Sequence, residues 1–124
     1  DLIVRGVCAL RPQVRGLSEN IRVRSVVGRF LEHTRVFHFR NSEPQVWLSS
    51  ADWMDRNFFR RIELAFPVLD AKVRKRILDE GLKAYLADNT QAWEMHGDGS
   101  FKRLKRGRAK AVCAQRDLLK SLAG

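Results

Sequence analysis

Short segments in which apolar and polar residues alternate constrain the fold of this chain most strongly. The alternation occurs in IRVRSVV (21–27), RVFHF (35–39) and RIELAF (61–66), and VWLSS (46–50) is a further short β-rich run. Successive side chains of a strand point to opposite faces of a sheet, so a period of two predicts strands. An Asn-Ser-Glu-Pro turn separates the second and fourth runs, which favours a hairpin over 35–50.

Helical patterns occupy the later part of the chain. Asp70 is a candidate N-cap for a helix that extends to about Ala87, and a final helix is predicted over 108–122. Residues 2–10 (LIVRGVCAL) predict a first strand, and 93–101 (WEMHGDGSF) predict a small hairpin. Strands followed by helices indicate an α/β or α+β mixed fold, with a mixed sheet of about five strands and C-terminal helices.

The net charge points to an anionic partner. The 124 residues include 24 Lys and Arg against 14 Asp and Glu, for a formal charge of +10. Such a field attracts polyanions such as nucleic acid, anionic lipid, nucleotides or polyphosphate, and charge alone does not choose among them. No apolar run approaches the roughly 20 residues of a membrane-spanning helix.

Other bulk features suggest an excised part of a longer protein. The chain begins at Asp1 without an initiator Met and shows no signal peptide, so we expect a fragment of a longer chain that forms one domain over 1–124. Cys8 and Cys113 lack metal-site spacing, and we expect both to be buried, reduced thiols.

Local chemistry singles out a few residues, each with a simpler structural explanation. His33 is a candidate phosphoryl acceptor or proton donor, and otherwise a surface histidine. Ser50 and Asp52 lie in a turn that could hold phosphate, or they cap local backbone amides. Arg5 interrupts an apolar strand and either meets an anion or faces water at an edge. His38 alternates with aromatic residues, which favours a packed strand histidine.

Long strings in this sequence resemble the C-terminal region of polyphosphate kinases. They are GLSENIRVRSVVGRFLEHTRVFHF (16–39), VWLSSADWMDRN (46–57), RRIELAFPVLD (60–70) and KRLKRGRAKAVCAQRDLLKSL (102–122). The resemblance covers essentially the whole chain in order. It implies a phospholipase D-like half-domain, because that family's catalytic core consists of two such domains.

The resemblance also implies the roles of several residues. Phospholipase D-like halves carry a His-x-Lys pattern and a Gly/Ser-Ser-x-Asn turn, which correspond here to His33-Thr34-Arg35 and to Ser49–Asp52 extending to Asn57. His33 would act as acid or base, with Arg35, Ser50 and Asn57 as further phosphate contacts. The Val4-Arg5-Gly6 string matches the family's arginine that contacts nucleotide phosphates, and we expect Arg5 and His33 to face one concave surface.

The implied reaction is reversible transfer of the ATP γ-phosphate to inorganic polyphosphate, with release of ADP. In that family the histidine that becomes phosphorylated lies in the preceding domain, so we expect this chain alone to be inactive. The expected partners are ATP or ADP, polyphosphate, the preceding domains and, in the full-length enzyme, a second copy; nucleic acid is not required. Mg²⁺ is expected with ATP and without ligands in this chain, and the expected location is cytoplasmic, with membrane association open.

Two alternatives remain at this point. A basic nucleic-acid-binding module would explain the charge and the basic run at 102–110, and it would bind with a steep salt dependence. Another phospholipase D-like enzyme, such as a phosphodiesterase, would require the lysine of His-x-Lys, which Arg35 replaces here.

Overall fold

Residues 1–123 are described by a computed structural model, and they divide into two compact units. The first unit contains residues 1–32 and the chain from Ala84 onward, and the second contains residues 33–83. The mixed α/β class is confirmed. Whether 1–124 acts as one domain stays a prediction.

The secondary structure of the described residues consists of short elements. The strands are β1 (Leu2–Ile3), β2 (Val23–Val26), β3 (Val36–His38), β4 (Val46–Ser49), β5 (Ala65–Pro67), β6 (Ala92–Met95) and β7 (Phe101–Arg103). The helices are α1 (Asp55–Arg60), α2 (Ala71–Ile77), α3 (Ala84–Ala87) and α4 (Ala114–Leu122), with a π-helical segment, Leu78–Lys83, between α2 and α3.

The first unit is built on a four-stranded sheet in the order β1-β2-β6-β7. β1 runs parallel to β2, and the other two pairs are antiparallel. Two buried cross-strand pairs lie on opposite faces of the two central strands: Val23 with Met95 on one face, and Val26 with Ala92 on the other. Cys113 is buried in this unit as well.

The second unit contains an antiparallel three-stranded sheet in the order β3-β4-β5. The predicted hairpin over 35–50 is confirmed, with Phe37 opposite Trp47. Val46 is fully buried, and Ala51 and Val68 complete the small core. This sheet places residues 33–35 and the turn after β4 in the same unit.

The helix that follows Asp70 has the predicted cap and length. The Asp70 carboxylate accepts a hydrogen bond from the backbone N–H of Val73 at 2.8 Å. Ion pairs one turn apart, such as Lys75–Asp79 at 2.5 Å and Arg76–Glu80 at 2.8 Å, lie along its exposed face. The π-helical segment packs near β3, and a Cβ at Gly81 would lie at an ordinary van der Waals distance, 3.4 Å, from Val36 Cγ2.

Three predictions about strands need correction. The seven strands of the described residues form two sheets of four and three, rather than one sheet of about five. The strand predicted at 2–10 stops at Ile3, and Gly6 then adopts a φ of 101°. The strand predicted at 61–66 lies at Ala65–Pro67, because the Leu64 N–H donates to the Ser50 side chain rather than to a neighbouring strand.

The final helix begins at Ala114 and not near 108. Residues 110–112 instead bond to Asn89: its amide donates to the Lys110 carbonyl at 2.8 Å, and its side-chain oxygen accepts from Val112 N at 2.9 Å. The predicted hairpin near 93–101 is confirmed as β6 and β7.

The burial of Cys8 and of His38 differs from what the sequence predicted, whereas that of Cys113 agrees with it. Both cysteines are free; Cys113 is buried, but Cys8 is only partly buried. His38 is exposed rather than packed, because it ends β3 at the edge of its sheet. Within residues 1–123, no helix has the length and apolar character needed to cross a membrane.

Candidate active site around His33

His33 lies three residues before β3, and its side chain is 68% exposed. Its Nε2 atom is 2.5 Å from Arg35 Nη2 and 3.5 Å from Asp52 Oδ1. Arg35 also donates to the backbone carbonyl of His33 at 3.3 Å. The imidazole therefore combines access to solvent with defined polar neighbours, as a group that exchanges protons or phosphate requires.

Arg35 and Asp52 form the fixed part of this cluster. Arg35 Nε and Nη2 both approach Asp52 Oδ1, at 2.9 and 2.8 Å. The Arg35 side chain is 19% exposed and that of Asp52 is 30% exposed, so both are more protected from water than the imidazole. A guanidinium held this way has a defined orientation, and it in turn restricts the position of His33.

The electrostatics keep Asp52 ionised. Partial burial raises the pKa of Asp52, but the hydrogen bonds and charge of Arg35, together with His33, outweigh it and hold the pKa below its ordinary value of 3.8. Near neutral pH the cluster therefore contains an ionised carboxylate and a guanidinium beside the imidazole of His33.

The two neighbours of His33 Nε2 suit different protonation states. A guanidinium can only donate, so its 2.5 Å contact requires an unprotonated Nε2. When Nε2 carries a proton, Asp52 Oδ1 at 3.5 Å is the available acceptor, and its charge stabilises the imidazolium. The arrangement can thus accommodate His33 before and after a proton transfer.

A second polar cluster surrounds Glu63 in the same unit. Its carboxylate accepts hydrogen bonds from Ser50 Oγ at 2.5 Å and from Asn57 Nδ2 at 2.7 Å. These bonds, that of Ser50 first, lower the pKa of Glu63 from its ordinary 4.5. Asn57 is 3% exposed, and its Oδ1 has no hydrogen-bond partner in the described structure.

A cavity of about 290 Å³ opens beside this second cluster. Asn57, Arg61 and Glu63 contribute to its lining, together with Ser49. Because the cluster ties the turn after β4 to the start of β5, Ser50 and Asn57 serve here to hold that turn in shape. A phosphate contact by either side chain stays a prediction.

Arg5 lies in the other unit and is exposed. Its guanidinium Nη1 donates to the Phe30 carbonyl at 3.3 Å. The predicted common surface of Arg5 and His33 joins two units, and it stays a prediction. No group of three or more His, Cys, Asp or Glu side chains in residues 1–123 could hold a metal ion.

The sequence pattern identified part of this arrangement. His33 and Arg35 lie together as the His-x-Arg spacing suggests, whereas Ser50 and Asn57 belong to the neighbouring Glu63 cluster. Glu63 was not among the predicted site residues, and Asp52 was named only as part of the turn after β4 and not as a partner of His33. The signal for Asp52 was present, since it stands in the Ser-Ser-Ala-Asp turn where the superfamily pattern has Asn; Glu63 had no comparable signal.

Comparison with known proteins identifies the family of this fold. The family described as "Polyphosphate kinase C-terminal domain 2" matches residues 1–115. A polyphosphate kinase of Burkholderia lata is 61% identical over 109 residues, which cover 87% of this chain and 16% of that protein. The polyphosphate kinase of Paraburkholderia phytofirmans is 59% identical over 110 residues, which cover 88% of this chain and 16% of the relative.

A solved structure agrees with the sequence relatives. The crystal structure of polyphosphate kinase from Porphyromonas gingivalis superposes with a TM-score of 0.89 at 41% identity, covering 98% of this chain and 19% of that one. The predicted phospholipase D-like half-domain is thereby confirmed. The chain spans about a sixth of the length of the curated relatives. With a family match that covers most of its residues and a shared fold, the chain belongs to the polyphosphate kinase C-terminal domain family.

Proposed function

We propose that this chain provides one part of the active site of a polyphosphate kinase, which transfers the ATP γ-phosphate reversibly to inorganic polyphosphate and releases ADP. Family membership supports this reaction over a nucleic-acid-binding module or another phospholipase D-like enzyme. The observation that carries the proposal is the cluster of His33 with Arg35 and Asp52, in which an exposed imidazole meets one cation and one anion.

His33 acts in this proposal as a proton donor or acceptor. Phosphoryl transfer depends mainly on positioning and on stabilising charge that develops on oxygen. An imidazolium beside Asp52 can donate a proton to an oxygen that gains charge, and the resulting neutral Nε2 can then accept from Arg35. The histidine that carries the phosphoryl group would lie in another domain of the enzyme, so this chain alone would not turn over.

Nucleotide, Mg²⁺ and other domains of the enzyme would complete the active site. Exposed Arg5 would contact the nucleotide phosphates, because a guanidinium pairs with phosphate oxygens in a bidentate manner. Mg²⁺ would enter with ATP, and its ligands would come from the nucleotide and other parts of the enzyme, since residues 1–123 contain no cluster of three or more His, Cys, Asp or Glu side chains that could hold it. The preceding domains and a second enzyme copy are further proposed partners, in a cytoplasmic or membrane-associated enzyme.

The test is ATP-dependent polyphosphate synthesis by the full-length enzyme that contains this segment. His33→Ala should lower the rate by about 10²–10⁴-fold, the usual contribution of a positioned acid or base. His33→Gln keeps a hydrogen-bond donor but cannot transfer a proton, so it should be nearly as inactive.

His38→Gln is the matched control, because His38 is an exposed histidine outside the cluster and its loss should be mild. Circular dichroism would verify that each variant folds. Near-normal synthesis by both His33 variants would overturn the proposal, and activity in Gln but not Ala would reduce His33 to a positioning residue.

A further inference from the structure

A run of unpaired positive charge begins in β7, the second strand of the β6–β7 hairpin, and continues beyond its end. All of its cationic residues are exposed, and none approaches a carboxylate within ion-pair distance in the described part of the chain. We call this set the basic arc: Lys102, Arg103, Lys105, Arg106, Arg108 and Lys110. Unpaired cations at this density repel one another, and an anionic ligand would relieve that repulsion.

Three basic residues near the two sheets differ in this respect, although several other exposed cations of the described residues are unpaired like those of the arc. Arg22 contacts Asp1 at 2.8 Å, Arg24 contacts Glu94 at 3.3 Å, and Arg35 contacts Asp52 at 2.8 Å. Their charges are already partly neutralised, whereas those of the basic arc are not, which makes the arc the better candidate for a polyanion.

The basic arc is fixed at both ends. At its start, β7 pairs with β6, and the Leu104 N–H donates to the Ala92 carbonyl at 2.9 Å. At its end, Asn89 Nδ2 donates to the Lys110 carbonyl at 2.8 Å, and Thr90 Oγ1 donates to the Val112 carbonyl at 3.0 Å. The segment between these anchors turns at Gly107, whose φ is 54°. The arc therefore presents its charges from a defined backbone.

A cavity of about 280 Å³ lies inside the arc. Its lining includes Asn89, Thr90, Arg103 and Arg106. Arg103 Nη2 donates to the Thr90 carbonyl at 2.7 Å, and Arg106 Nη1 donates to the Ala109 carbonyl at 3.2 Å. Each guanidinium is thus oriented by one hydrogen bond, and its other N–H groups remain available to a ligand.

We propose that the basic arc is a binding site for inorganic polyphosphate, formed by residues other than those of the His33 cluster. This inference rests on the proposed function for its ligand class. A linear chain of phosphates supplies closely spaced acceptor oxygens, which suit adjacent arginines and lysines. Single-stranded nucleic acid is the alternative polyanion, since its binding sites combine cations with aromatic residues that stack on bases, and the exposed Trp93 and Phe101 border the arc. We favour polyphosphate because residues 102–110 themselves contain no aromatic residue between the cations.

The test measures binding of fluorescently labelled polyphosphate to the 124-residue chain by anisotropy at several salt concentrations. Lys105→Gln/Arg106→Gln should weaken binding about tenfold and reduce the slope of log affinity against log salt, because two phosphate contacts are lost. These side chains donate no hydrogen bond in the described structure other than that of Arg106 to Ala109, so the fold should persist.

Lys75→Gln/Arg76→Gln is the matched control. It also removes two positive charges, but these residues already pair with Asp79 and Glu80. Its polyphosphate affinity should change less than twofold. An equal loss of polyphosphate affinity in the two double variants would mean that only the net charge of the chain attracts polyphosphate. Unchanged affinity in both would mean that polyphosphate binds elsewhere. Either result overturns the proposed site.

Two comparisons separate this site from its alternatives. The first comparison uses a single-stranded oligonucleotide. If the chain binds it more tightly than polyphosphate, and Lys105→Gln/Arg106→Gln abolishes that binding, the arc is a nucleic-acid site and the proposal is overturned. If the full-length enzyme has kinase activity and Lys105→Gln/Arg106→Gln leaves its polyphosphate affinity unchanged, the arc is refuted as a binding site while the proposed function stands. Arc-dependent polyphosphate binding in an enzyme without kinase activity would refute the proposed function but support the arc.

Discussion

The carboxylate of Glu63 holds two side chains of the candidate site at once, Ser50 and Asn57. No local sequence pattern predicts this role, because Glu63 follows Ser50 by 13 residues and contacts it only when β4 and β5 pair. His33 and Arg35 were found from sequence since they are two residues apart, and their contact is local. The orientation of Arg35 by Asp52, 17 residues later, depends on the fold.

The lowered pKa of Glu63 predicts a pH dependence of stability. A carboxyl group whose folded pKa is depressed stabilises the fold above its ordinary pKa, and this contribution is lost as pH falls through the folded value. The free energy of unfolding should therefore decline as pH drops below about 4.5, and Glu63→Gln should decline less steeply. Urea unfolding of the chain at a series of pH values measures both slopes.

The control for this measurement is Glu43→Gln. Glu43 is 71% exposed, and its nearest cation, Arg74, is 3.9 Å away. This variant should keep the slope of the unmodified chain. Identical slopes for Glu63→Gln and the unmodified chain would contradict the role given to the Ser50 and Asn57 hydrogen bonds.

At the scale of secondary structure, Asp88 connects the end of α3 with the beginning of α4. It is fully buried, and its carboxylate accepts from the backbone N–H groups of Thr90, Gln91 and Ala114 at 2.7–2.9 Å. Residues 26 apart in sequence are thereby joined. This long-range contact explains why helical periodicity alone placed the start of α4 too early, whereas the Asp70 cap depended on local residues and was predicted.

Asp88→Ala should destabilise the first unit strongly. The buried N–H of Ala114 and the partly buried N–H groups of Thr90 and Gln91 would lose their acceptor. Because an unsatisfied buried donor costs about 1–3 kcal/mol and a partly buried one less, a loss of about 2 kcal/mol or more is expected. Asp88→Asn keeps one acceptor oxygen, so its free energy of unfolding should lie between those of Asp88→Ala and the unmodified chain. Lys120→Ala, an exposed change in α4, should stay within about 0.5 kcal/mol. Chemical denaturation gives these values, and an Asp88→Ala variant as stable as the control would refute the connection.

At the scale of the whole molecule, the chain leaves its first unit at Glu32 and returns to it at Ala84. Hydrophobic periodicity predicted most strands but not their partners, because a period of two says which face is apolar and not which strand lies beside it. One sheet of about five strands was therefore expected where two sheets exist. Long family-specific strings provided the fold and the reaction class, which neither charge nor periodicity could supply.

The central claim is that Asp52 acts through His33 in phosphoryl transfer. The most direct measurement is a double-mutant cycle in the full-length enzyme, with kcat/KM for polyphosphate synthesis as the readout. Asp52→Asn should lower the rate about tenfold or more, and His33→Gln about 10²–10⁴-fold. Asp55→Asn, an exposed carboxylate nearby in sequence, is the matched control and should have little effect.

The double variant His33→Gln/Asp52→Asn decides the question. If Asp52 orients and stabilises the imidazole that the geometry brings to 3.5 Å, the double variant should be no slower than His33→Gln alone. Full multiplication of the two separate losses, or near-normal synthesis by His33→Gln, would contradict the account.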